Sequence, residues 1–95
     1  MNELERVALE RLIAVALHDS GQSRKVANFL LAWWNAPRCG GFDLTDIWNL
    51  DAAIQQDMIV VLCMTVRLSA YPGRLGYDEP LRRIEALWRA LDVTA

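Results

Sequence analysis

The chain has 95 residues, 54% of them apolar and 23% charged, with a formal net charge of −2 and an isoelectric point near 5.2. That length fits one domain over residues 1–95, and so apolar a composition with only 5 Gly and 3 Pro excludes a disordered tail or low-complexity linker. The slightly acidic balance also lacks the surplus of Lys and Arg with which proteins that grip a phosphate backbone replace counterions.

The first predicted helix covers residues 2–18. Leu4, Ala8, Leu12 and Val15 follow the spacing of one helix face, and Leu9, Ile13 and Ala16 widen it. His18 suits the carbonyl end of the helix dipole, and Gly21 stands where a left-handed cap belongs. A second helix is predicted to start near Ser23 as N-cap, with Val26, Phe29, Leu30 and Trp33 inward and Ala27, Leu31 and Trp34 beside them. Adjacent residues on a helix point about 100° apart, so Trp33 and Trp34 cannot share a pocket. The helix should stop at Asn35-Ala36-Pro37, because the residue before proline avoids the helical region.

Arg38 to Phe42 reads as a tight loop in which Gly40 and Gly41 permit positive φ or close backbone approach. Asp43 then caps a short turn, Leu44 to Trp48, and Asp51 caps a helix over residues 52–69 whose middle is apolar nearly all round. That pattern predicts the central, most buried helix. Tyr71 to Gly76 is rich in turn residues, and Asp78 is expected to cap a last helix with Pro80 in its first turn and a seam of Leu81, Ile84, Trp88 and Leu91. Four main helices plus one short helical turn make an all-α bundle.

Chemistry finds little to stand on. Zinc needs three or four ligands, often in close pairs, and one His with two distant Cys do not supply them. Asp43, Asp46, Asp51 and Asp57 could in principle hold Mg²⁺, but three of them read as caps or first-turn residues, so no metal and no cofactor is expected. A cysteine nucleophile would need Cys39, lowered in pKa beside Arg38, to meet His18 with Asp19 or Asp43 behind it. A loop thiol and a helix-end histidine account for those residues more simply, and no enzyme activity is expected. The glycines match neither phosphate-loop pattern, and the neighbouring Asp43 and Asp46 repel anions. An acidic N-terminus speaks against a signal peptide, and the longest apolar run, residues 58–64, is far short of the roughly 20 that span a membrane. A reduced, cytoplasmic protein is the expectation.

A chain this short hides only about 60–65% of its unfolded surface on folding. The apolar surplus therefore predicts an exposed patch or a helix face buried against another subunit. The leading reading is a protein-interaction module of unknown partner that self-associates, with Arg24, Lys25, Trp34, Arg38 and Phe42 as candidate partner-binding residues, since Trp and Arg carry much interface energy. Against it stands the reading that Trp33, Trp34, Phe42 and Trp48 simply fill the core. The alternative function is a DNA-associated accessory protein, in which residues 19–22 form the turn of a helix-turn-helix and Arg24, Lys25 and Arg38 meet DNA. The second helix, apolar over most of its circumference, leaves no polar row for base edges.

The strings SGQSRKVANFLLAWWN at 20–35 and GGFDLTDIW at 40–48, with Tyr71-Pro72 and Leu75-Gly76-Tyr77 further on, resemble a family of short proteobacterial proteins catalogued as domain of unknown function 7673. The resemblance runs through most of the chain. It brings no catalytic residues; it implies a bacterial cytoplasmic setting and an accessory role on plasmids and integrated elements.

Overall fold

The computed structural model of the protein describes the backbone of residues 1–94 and the side chains through Arg89. Among these residues the chain forms α1 (Glu3–Ala16), α2 (Gly21–Cys39), a 3-10 helix (Leu44–Asn49), α3 (Ala52–Leu68), a second 3-10 helix (Pro72–Leu75) and α4 (Asp78–Thr94), without a strand. The all-α bundle of four main helices expected from the periodicity is the observed fold. The short turn after Asp43 is also present, and a further 3-10 turn occupies part of the stretch read as turn-rich.

α1 begins with a capping box. Asn2 Oδ1 accepts the Glu5 N–H at 2.8 Å, and Glu5 Oε1 accepts the Asn2 N–H at 2.9 Å. Its buried stripe is Ala8, Leu9, Leu12, Ile13 and Ala16, with Glu5 rather than Leu4 at the leading end. Glu5 tolerates burial because Arg67 of α3 donates to its Oε2 at 2.6 Å. One and a half turns on, Arg11 clamps the buried Asp57 of α3 with two bonds of 2.9 and 2.8 Å. Residue 5 meets 67 and residue 11 meets 57, so α3 runs antiparallel to α1.

α2 starts earlier than its sequence suggests. Ser20, not Ser23, is the N-cap: its Oγ accepts the Ser23 N–H at 3.0 Å and pairs with the Ser23 hydroxyl at 2.8 Å. Gly21 is the first helical residue rather than a left-handed cap of α1, and the positive-φ glycines among the described residues are Gly40 and Gly76. The earlier start gives the buried Ser23 a partner and lets Gln22 reach the Asp51 backbone N–H at 2.6 Å, tying the beginnings of α2 and α3 together. The break at Asn35 is as expected: φ −163° and ψ 79° leave the helical region. Asn35 Oδ1 then accepts the Arg38 N–H at 3.2 Å and starts one more turn, which ends at Gly40 with φ 96° and ψ 163°.

Val26, Ala27, Phe29, Leu30 and Leu31 are all buried, because α2 packs on α1 on one side and α4 on the other. This corrects the expectation that α3 is the most enclosed helix. α3 buries Asp57, Met58, Val61 and Met64, chiefly against α1, and shows its opposite side to solvent. α4 buries Leu81, Ile84 and Trp88 as the seam predicted, with Trp88 Nε1 donating to the Ala16 carbonyl at 2.7 Å; the side chain of Leu91 lies outside the described residues. Asp78 is the first residue of α4 and not its cap. Its Oδ1 accepts from Trp34 Nε1 at 2.9 Å, which occupies the group elsewhere. Asp51 holds the cap position of α3 without a capping bond; its Oδ2 accepts from Gln22 Nε2 at 3.1 Å.

Candidate functional site

The residues singled out in the sequence fall into three places. Trp34 and Arg38 lie together on the α2–α4 seam. Asp78 holds the indole N–H, the Arg38 guanidinium stacks 5.0 Å from the Trp34 ring centroid, and it grips Glu85 through bonds of 2.8 and 3.0 Å. Next to them Arg89 donates to the Cys39 carbonyl at 3.0 Å and to Asn28 Oδ1 at 2.7 Å. Arg24 sits toward the other end of that seam, 5.8 Å from the Trp88 ring, with Lys25 following it half-buried. Phe42 is elsewhere, edge-on to Phe29 at 5.3 Å between ring centres. Trp34 and Arg38 therefore tie α2 to α4, and Phe42 packs on Phe29 apart from them.

Electrostatics around Cys39 run against a nucleophile. The thiol is buried at the end of α2 and donates to Glu85 Oε2 at 3.4 Å. Burial first, then the bond to the Glu85 carboxylate and its charge, push the thiol's pKa up, overriding the lowering by Arg38. The lowered pKa that a nucleophile at Cys39 would need is thus opposed by its surroundings. Glu85 itself is held below the ordinary carboxylate range, mainly by its bond to Arg38. Three of the four aspartates serve separate ends: Asp57 pairs with Arg11, Asp51 with Gln22, and Asp43 accepts from the Thr45 N–H and hydroxyl. Among the described residues no three His, Cys, Asp or Glu side chains stand close enough to share a metal. No helix there is long and apolar enough to cross a membrane.

Among the described residues, exposed apolar side chains gather on α3 and the first 3-10 helix, while Leu4, Tyr71 and Leu87 are exposed elsewhere. Ile59 is 50% exposed, Leu62 47%, Val66 76%, Leu44 69% and Trp48 76%. Ile59, Leu62, Cys63 and Val66 recur within about a third of the helix circumference. Gln55 Nε2 donates to the Ile47 carbonyl at 2.7 Å and holds the 3-10 helix against α3. Between α2 and α3 this surface opens into a groove of about 310 Å³ lined by Phe29, Trp33, Phe42, Leu44 and Leu62 among others. One reading of the aromatics changes here. Trp33, Trp34 and Phe42 do pack against the core, as a core-filling role requires, but Trp48 points outward. Cys63, on the helix predicted to be the most buried, is exposed.

The sequence did carry a signal for this face. Met58, Val61 and Met64 form one stripe of α3 and Ile59, Leu62 and Val66 another, and a helix packed on one side can bury only one of them.

Comparison with known proteins adds one match: the model of a family described as a family of unknown function, DUF7673, spans residues 6–89. No curated protein and no solved structure matches the chain.

Proposed function

The chain belongs to that family, DUF7673, and we propose that it is a small helical interaction module which engages a polypeptide through the outer face of α3 and the adjoining 3-10 helix. One observation carries the reading: five large apolar side chains, Leu44, Trp48, Ile59, Leu62 and Val66, are about half to three-quarters exposed on adjoining elements. Scattered surface leucines need no explanation, whereas exposed apolar side chains gathered on two adjoining elements, with Leu44 and Leu62 lining one groove, are what a docking surface presents. Trp48 is the side-chain type that most often dominates such interfaces. We propose further that it acts in a proteobacterial cytoplasm as an accessory protein of a mobile element.

A photoreactive amino acid placed at Val66, and separately at the exposed Arg82 of α4, tests the surface in cells of the native host. The expected result is polypeptide cross-links from position 66 and few from position 82. Equal and low yields from both positions overturn the reading.

A further inference from the structure

Taking the α3 face as the interaction surface of the proposed function, we infer that its occupant is a second copy of this chain, with the two α3 helices antiparallel across a two-fold axis near Leu62 and Cys63. The first ground is spacing. Ile59 and Val66 lie equal steps on either side of the Leu62–Cys63 pair, so an antiparallel pairing sets Ile59 against the partner's Val66 and Leu62 against the partner's Cys63. A two-fold interface needs this self-matching, because each contact must occur twice.

The second ground is polarity. The exposed positions of α3 from Ala52 to Val66 are Ala52, Ala53, Gln56, Ile59, Leu62, Cys63 and Val66, with no charge among them. The charged residues of the helix, Asp57 and Arg67, are already paired with Arg11 and Glu5. Two copies can therefore bring this stretch of α3 together without like charges meeting along it. Surfaces that bind and release different partners are about as polar as the rest of a protein, while lasting homodimer interfaces are distinctly more apolar. This face is of the second kind.

The third ground is area. The exposed fractions of the five side chains amount to about three whole apolar side chains, on the order of 600 Å² per copy at roughly 200 Å² each. A symmetric pair that covered all of it would bury at most about 1,200 Å², the lower edge of what specific, stable interfaces use.

Light scattering on the eluting peak of the purified full chain, from micromolar to near-millimolar concentration, tests the pairing. The expected mass is twice 10.8 kDa, and Leu62→Glu or Val66→Lys should return it to that of one chain with the helical circular dichroism intact, since both side chains face solvent. A short bismaleimide should join two native chains through the exposed Cys63, not through the buried Cys39, and Cys63→Ser should abolish the link. A single-chain mass at every concentration, a dimer that survives both charge substitutions, or a dimer that cannot be joined at Cys63 overturns the proposal. Cross-links from position 66 to a different polypeptide by a chain that stays monomeric would sink the second copy alone. A monomer without any such cross-link sinks the interaction surface as well.

Discussion

Trp34 stands half-buried between α2 and α4, its indole N–H on Asp78 and its ring beneath Arg38, whose other contacts are the two oxygens of Glu85. Each partner restrains the next, so the group behaves as a clasp between helices more than as a free recognition surface. Trp34→Phe keeps the ring and loses the bond to Asp78, and should cost about 1 kcal/mol. Trp34→Ala also removes the packing and should cost about 2–3 kcal/mol, somewhat less than for a fully buried tryptophan. Urea unfolding followed by circular dichroism distinguishes these from a surface role, in which both variants would be as stable as the native chain. The sequence located Trp34 correctly as the tryptophan turned away from Trp33. It could not say that Asp78, 44 positions on, would meet it, because nothing local to either residue encodes that distance.

The ends of the elements divide in the same way. The break of α2 at Asn35 and the positive φ of Gly40 follow from the chemistry of proline and glycine and were legible, whereas the further helical turn through Arg38 and Cys39, read as loop, was not. Nor was the start, because Ser20 and Ser23 are equally good caps, and the burial of Ser23 beside Ser20 and the link from Gln22 to Asp51 favour the earlier one. Gly40 combines φ 96° with ψ 163°, a region that is essentially closed to residues with a Cβ. Gly40→Ala should therefore destabilise by about 1–3 kcal/mol although a Cβ there would meet nothing within 4 Å. A midpoint equal to that of the native chain in denaturant would show that the turn relaxes without strain. For α3, composition identified the helix and misplaced its environment: a second apolar stripe reads as burial until the neighbours of the helix are known.

At the scale of the molecule, carboxylate–arginine pairs lock two seams. Glu5 with Arg67, together with Arg11 and Asp57, fastens α3 to α1, and Glu85 with Arg38 fastens the end of α2 to α4. Glu5 is held below its ordinary value of 4.5 chiefly by the Asn2 backbone N–H and then by Arg67, and Glu85 chiefly by Arg38. A carboxylate that is harder to protonate when folded means that the unfolded chain binds more protons as the solution is acidified. Its stabilisation is complete above the ordinary value of 4.5 and is lost as pH falls through the lowered one. The melting temperature should thus be flat from neutrality to about pH 5 and then decline. Glu5→Gln and Glu85→Gln should each melt lower at neutral pH and show a shallower decline, measured by thermal circular dichroism. An unchanged slope in both variants would place the acid sensitivity elsewhere.

The sequence by itself determined that the chain is helical, that four long helices are separated by breaks near residues 20, 40 and 73, and that more apolar surface exists than a small core can hide. Those properties depend on periodicity, caps and composition, which neighbours along the chain decide. Only the tertiary structure decided where the surplus goes. α2 is enclosed because α1 and α4 flank it, α3 is half-bare because it packs mainly on α1, and Trp48 and Cys63 face outward while Trp34 and Arg38 turn to α4. The reason is physical: a helix of uniform apolarity carries no mark of which side is inward, and that choice belongs to the helices it meets.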